Sequence, residues 1–428
     1  LRVADAIFRG DGRWLTLGTR VAEDNSALPY LVLREAGGAE LAAVALAPSD
    51  GRSWSARSLV DIGGGHVLVA GIDHDASFGL PQALFLVRLD ASLGVVWSRR
   101  YTRADATFED AWLRAREGAA PLLVGGIQPV EDGMAGQGDA FLASVDVATG
   151  DLADVHTLGT PEAHERGADV IALAGGGEAV ALEVRRDGAG GFEAGDGIVA
   201  LADDGSVASS RLISHPVSAG IRASALRLIH DGAGFVLAGR RTAFGPNFFY
   251  LHRLGSDLAP AAGRTLLPFF NAADVAPAAG GGTLLYGEAN GEVGETGTVL
   301  MRLDADLGIT LQRRYPTQNQ VFPSGAIARG DRGLLLALGA MREDDARVFE
   351  SAHRVDADDG DGLLCEEGSY EGFATATDTQ VAELAWTPAI APLALVAAPV
   401  AVDVEPLVRE DIAACATRDD LIFRDGFP

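Results

Sequence analysis

The sequence predicts an all-β chain: a seven-bladed β-propeller with four-stranded antiparallel blades and a strand-rich C-terminal appendix. Three observations predict it. A motif recurs about every 50 residues along most of the chain. Each copy holds four short stretches of strand character bounded by Gly and Asp. No amphipathic pattern of helical length competes with them. Four antiparallel strands per unit, repeated radially, bury both faces of every blade.

Two markers fix the period. The turn after one strand pair falls at Ala36, Asp90, Asp146, Asp203, Gly255, Asp304 and Asp356. The residue closing the other strand falls at Gly18, Gly71, Gly126, Glu183, Gly239, Gly287 and Gly339, with the glycine lost in the fourth copy. Both series mark seven units. In the third unit the strands read EDAWLRA, PLLVGG, DAFLASVD and DLADVHTL. The repeats occupy residues 1–370 and the appendix residues 371–428. The appendix segments EGFATATDTQVAELAW and TPAIAPLALVAAPVAVDVEPLV both have strand character. The expected role is closing or capping the last blade. Lying on the propeller's outer edge, or pairing with another molecule, are the alternatives.

Composition removes whole classes of function. The chain has 428 residues, 60 acidic against 34 basic, and a net charge of −26. Every basic residue is arginine. A phosphate-backbone binder needs the opposite sign. With 48% hydrophobic and 22% charged residues the chain is not disordered. No run of 18 apolar residues spans a membrane as a helix. Walker A, G-x-S-x-G, H-E-x-x-H and C-x-x-C motifs are all missing. Three methionines and two cysteines give haem or iron–sulfur ligation little to work with.

The best copies read GGGHVLVAG, a loop, then ALFLVRLDASLGVVWSRRY, and GGGTLLYGE, a loop, then GTVLMRLDADLGITLQRRY. This pattern resembles the delta-60-like propeller repeats of secreted bacterial proteins over roughly residues 2–370. The terminal run Ile422-Phe423-Arg424-Asp425-Gly426-Phe427 resembles the I-F-x-D-G-F terminus of secreted proteins from xanthomonad-type bacteria. The resemblance implies a propeller and an extracytoplasmic home, secreted, periplasmic or on the cell surface. It carries no catalytic residues. The all-arginine, alanine-rich composition fits a GC-rich Gram-negative genome.

Strand alternation puts the short turns on one face and the long, irregular loops on the other. Function is expected on the long-loop face. That face collects Asp73, His74, Asp75, His164, Glu165 and His215, with the aromatics Phe78, Phe244, Phe269 and Phe270. Asp73-His74-Asp75 is a metal-like cluster, and His164, Glu165 and His215 offer a transition-metal set. The plain alternative is a solvated acidic loop face. Asp5, Asp110, Asp169 and Asp274 recur just before the first strands of their blades and are expected at the channel mouth. There they either ring a cation or accept backbone hydrogen bonds that tie blades together. Asp356, Asp358 and Asp361 form a calcium-like acidic turn, though not an EF-hand, because Gly360 stands fifth and Asp361 sixth. Cys365 and Cys415 form an even pair and read as a disulfide, with two free thiols as the alternative.

Three functional readings follow. The first is a non-catalytic secreted or cell-surface binding or assembly module, gripping a protein or glycan at the long-loop face, requiring no cofactor and with calcium as an optional ligand. The second is a propeller hydrolase, lyase or quinone oxidoreductase working at the channel mouth. The third is a filament subunit polymerising through the appendix. Nucleic acid is excluded as a partner.

Overall fold

The structure is a computed structural model. It describes residues 2–21, 26–37, 39–74, 82–116, 118–131, 134–135, 137–188, 191–214, 222–232, 234–242, 247–267, 270–278, 280–290, 296–316, 320–330, 333–341, 348–355, 375–378, 382–384 and 386–406.

The chain is all-β and forms a β-propeller. Among the described residues it folds into seven antiparallel sheets, here I to VII in chain order, each built from consecutive strands. Their first strands are Arg2–Phe8, Ser53–Asp61, Ala106–Arg116, Ala163–Ala172, Arg222–His230, Phe270–Pro277 and Gln320–Gly330. These pack side by side in a closed ring, with sheet VII against sheet I. Six sheets carry four or more strands; sheet VII carries three among the described residues. The expectation of seven uniform four-stranded blades is corrected accordingly. Among the described residues six sheets have at least four strands, and five of those gain an extra strand from the appendix.

The recurring glycine has a packing reason. Gly18 faces Tyr30 across the second-to-third strand pair, Gly71 faces Phe85, Gly125 faces Phe141 and Gly239 faces Tyr250. Each aromatic ring lies over its glycine. A Cβ on Gly71 would sit 2.6 Å from the Phe85 ring, and one on Gly125 2.7 Å from that of Phe141. In sheet IV the pair is inverted: Leu182 stands opposite Gly197. The residue in glycine's place is therefore Leu182, paired with Gly167 as Gly71 is with Ala56, and not Glu183. In sheet III it is Gly125, paired with Ala111, rather than Gly126. A second repeat device sits in the third-to-fourth turns. Leu93, Leu258 and Leu307 take positive φ of 66°, 61° and 61° with buried side chains. Burial of an apolar side chain offsets the cost of a left-handed leucine.

None of the appendix's described segments pairs with sheet VII; they run round the outside of the propeller in reverse order. Thr375–Asp378 adds an antiparallel strand to sheet V, Ala382–Leu384 to IV, Ala389–Pro392 to III, Val396–Pro399 to II and Val402–Pro406 to I. The segments begin at 375, 382, 389, 396 and 402, about one heptad per sheet. Trp386, Leu393 and Val400 recur every seventh residue. They pack against the cores shared by sheets III and IV, II and III, and I and II. Pro392, Pro399 and Pro406 end successive steps. Proline lacks the N–H that a further ladder bond would need, so each step stops before the next sheet. This belt seals the outer edges of five sheets.

Candidate functional site: an arginine-lined channel entrance

The ring of first strands brings one residue per sheet to a common level: Asp5, Ser58, Trp112, Asp169, Arg227, Asp274 and Ala326. The level is set by hydrogen bonds between neighbouring sheets. Asp5 accepts the N–H of Leu59 at 3.0 Å, Ser58 that of Leu113 at 2.6 Å, Asp169 that of Leu228 at 2.9 Å and Asp274 that of Ile327 at 2.9 Å. Asp5, Asp169 and Asp274 also accept the N–H of their own following residues. These carboxylates therefore latch one sheet to the next. They are buried, at 5%, 1% and 3% exposure, instead of ringing an open mouth.

Arg227 crosses this level from sheet V. Its Nε lies 2.8 Å from Asp274 of sheet VI, its Nη2 3.7 Å from Asp5 of sheet I, and its guanidinium stands 5.8 Å above the Trp112 ring of sheet III. Arg114 pairs with Asp169. Burial pushes the Asp5 carboxyl up to about 6, with Arg227 opposing and Asp274 reinforcing the rise. Burial likewise raises Asp169 well above the usual carboxylate range. The result is a charged plug in the channel.

Between the plug and the long-loop face lies a different population. Arg57 of sheet II pairs with Asp110 at 2.9 Å. Arg166 of sheet IV reaches Glu183 at 2.5 Å and Asp110 at 3.7 Å. Arg185 also pairs with Glu183. Asp110 belongs here, two residues before Trp112, and is not equivalent to the three latching aspartates. Gly126 makes room: a Cβ there would lie 2.9 Å from Arg166 Cγ and 3.1 Å from Glu109 Oε2. Arg240 of sheet V completes the group. Burial lowers its pKa, with the cation Arg166 adding to the fall and Glu183 opposing it. The side chains of Arg57, Arg166 and Arg185 keep about a third of their surface in solvent. Four arginines thus share three carboxylates, Glu109, Asp110 and Glu183, at the entrance of a chain that is strongly acidic overall.

The other expected site residues are placed differently. Asp73 is fully buried and clamped by Arg52 at 2.5 Å and by Arg100, so it presents nothing to a ligand. His74 meets Ser55 through Nε2 at 3.0 Å. Its pKa falls to about 4, first through burial and then through nearby Arg57, so it is neutral. His164 Nδ1 accepts the Gly138 N–H at 2.9 Å and Nε2 lies 3.1 Å from Glu109. An accepting Nδ1 fixes the proton on Nε2, and both nitrogens are committed. Glu165 is buried under the belt. Its Oε1 accepts from Thr160 and from Trp386 Nε1, the latter at 3.3 Å, and burial raises its pKa. All four side chains are engaged within the protein, and the remaining members of the two metal readings, Asp75 and His215, lie outside the described residues. Among the described residues no group of three His, Cys, Asp or Glu is arranged to hold a metal ion. Asp75, Phe78, His215, Phe244, Phe269, Asp356, Asp358, Asp361, Cys365 and Cys415 lie outside the described residues. Phe270 is placed by its backbone only, opposite Ala289.

The entrance arginines escaped the sequence reading. Glu183 stood out only as a lost glycine, and arginines spread over three sheets have no linear motif. One signal was available: the paired arginines in VRRD and GRRT, near the ends of the second strands of the fourth and fifth sheets.

No protein-family model and no curated protein sequence matches the chain. Among solved structures, the NanB sialidase from Streptococcus pneumoniae in complex with 2-[(3-chlorobenzyl)ammonio]ethanesulfonate is similar at 10% identity and a TM-score of 0.27. The match covers 83% of this chain and 61% of that one. A second structure, NanB with Optactamide, gives 10% identity, a TM-score of 0.26 and the same coverage. The chain thus spans 61% of the length of the sialidase chain it matches. At these values the likeness carries no argument about substrate or mechanism.

Proposed function

We propose that the protein is a non-catalytic binding module that holds a carboxylate-bearing glycan at the arginine-lined channel entrance on its long-loop face. One observation carries the reading: among the described residues, Arg57, Arg166, Arg185 and Arg240 converge from three sheets on three carboxylates. A guanidinium offers paired N–H donors that match a carboxylate in two-pronged geometry. Arg240, crowded by Arg166 and largely removed from water, gains most from an incoming anion. The plug of Arg227 with Asp5 and Asp274 lies behind the site and gives it a floor.

The same proposal places the chain outside the cytoplasm with Cys365 bridged to Cys415. Thiol titration of the unfolded protein tests the bridge: no thiol reacts until reductant is added, and two reactive thiols beforehand refute it. The binding reading is tested by titrating the intact protein with oligogalacturonate and with a neutral oligosaccharide of equal length. The acidic sugar binds, and added salt weakens it. Equal binding of both sugars, or of neither, refutes the proposal.

A further inference from the structure

The joint between sheets III and IV contains a cavity of about 230 Å³ on the short-turn side. The repeat explains why it is open. At the preceding joint, large donors of sheet II fill the corresponding space. Trp97 Nε1 and Arg88 Nη1 each donate to the carbonyl of Val147 at 3.0 Å, and Arg99 Nε donates to that of Thr149 at 3.2 Å. The position of Arg99, opposite Leu86, is arginine again in three later sheets: Arg211 opposite Ile198, Arg264 opposite Leu251 and Arg313 opposite Leu300. Arg211 reaches Asp257 in the turn of the next sheet at 3.4 Å.

Sheet III departs from this pattern. The place of Arg99 is taken by His156, opposite Leu142. Ser144 stands in the place of Arg88 and faces Ala153 where Arg88 faces Trp97; Asp154, at φ 52°, fills the irregular step between Ala153 and His156. Ser144, Asp154 and His156 line the cavity. Facing them from the turn of sheet IV are Asp203 and Asp204. Asp204 follows Leu201 by three residues, as Asp257 follows Leu254, so it occupies the place of the aspartate that pairs with Arg211. Hydrogen bonds from Ser206 hold its pKa below the usual carboxylate range, so it stays ionised. Arg116 also lines the cavity but is paired with Glu178 at 2.7 Å. Leu142, Leu158 and the belt residue Ile390 supply an apolar wall.

We propose that this slot binds a small organic cation, a guanidinium on a short apolar stem, which takes the position that arginine fills at the joints between sheets II and III and between sheets IV and V. The geometry points to the class. Asp203 and Asp204 accept from Gly177 and Ser206 through Oδ1, sheet III offers no arginine in the place of Arg99 to meet their other oxygens, and Asp154, Asp203 and Asp204 exceed the local cations. The volume lies below the roughly 300–1,000 Å³ of drug-sized ligand sites, so the ligand is small. This site lies at the opposite end of the sheets from the arginine entrance and has the opposite charge preference, so the two readings stand independently.

The test is calorimetric titration of the intact protein with agmatine, and with butyrate and 1-butanol as anionic and neutral controls of similar stem. Agmatine binds and the controls do not. His156→Arg restores the repeat's own side chain and abolishes agmatine binding, with the circular dichroism spectrum unchanged. Asp204→Asn keeps the shape and weakens agmatine about tenfold, the effect of roughly 1.4 kcal/mol. Arg240→Met leaves agmatine binding unaffected, which separates this site from the entrance. Agmatine binding no tighter than butyrate, or undiminished by His156→Arg in a folded protein, overturns the proposal.

Discussion

Replacing Arg227 with methionine tests the reading of the channel plug. The guanidinium lies 2.8 Å from Asp274 and 3.7 Å from Asp5, both buried. At an effective dielectric of about 20 those separations correspond to attractions of about 6 and about 4 kcal/mol before desolvation is subtracted. Breaking a buried ion pair by removing one partner costs about 3–5 kcal/mol, and that is the expected loss at pH 8. The loss depends on pH with a definite sign. In the folded protein Asp5 titrates at about 6, above its ordinary 3.8. The folded state therefore holds this proton more tightly than the unfolded chain. The associated stability is fully present below pH 3.8 and disappears as pH rises through 6, about 3 kcal/mol over about two units. Without Arg227 the window extends upward, because Arg227 lowers the Asp5 pKa in the intact protein. The Arg227→Met defect must therefore shrink between pH 8 and pH 5.5, and Arg227→Met/Asp274→Asn must recover part of it at pH 8. Urea denaturation followed by tryptophan fluorescence measures both. A defect under about 1 kcal/mol at pH 8, well short of a broken buried pair, or one equal at the two pH values, refutes the plug.

Three further outcomes follow from packing. Gly71→Ala puts a Cβ 2.6 Å from the Phe85 ring and lowers stability by about 1–3 kcal/mol, read from denaturation midpoints. Trp386→Ala removes the belt side chain that packs between sheets III and IV and donates to Glu165; a loss of about 3–5 kcal/mol is expected. Asp73→Asn leaves Arg52 and Arg100 with a weaker buried partner, and thermal unfolding shifts down without change in agmatine or oligogalacturonate binding.

The fold was legible because its repeat is carried by residues with strict geometric roles. Gly18, Gly71 and Gly239 sit under aromatic rings, and no larger residue fits beneath them. Sheet IV misled the register because Leu182 and Gly197 exchange the two roles across the strand pair, leaving Glu183 to be counted in glycine's place. Asp5, Asp169 and Asp274 were legible as recurring carboxylates, and the hydrogen-bond alternative for them matches their latching bonds. Asp110 was grouped with them by sequence position, but it sits two residues nearer the entrance and pairs with Arg57. The belt's path was not legible because its steps are only three to five residues long, below the usual length of a strand signal. Its heptad of Trp386, Leu393 and Val400, with Pro392, Pro399 and Pro406, was present in the sequence. The entrance arginines were the least legible feature. They come from sheets II, IV and V, and only closure of the ring brings them together.

The measurement that most directly tests the central claim is the affinity of oligogalacturonate for the intact protein and for Arg240→Met. Arg240 is the entrance cation least balanced by carboxylates, and losing it should weaken binding at least about tenfold, or roughly 1.4 kcal/mol, while leaving the fold intact. Unchanged affinity in a folded Arg240→Met variant would contradict the arginine entrance as the binding site.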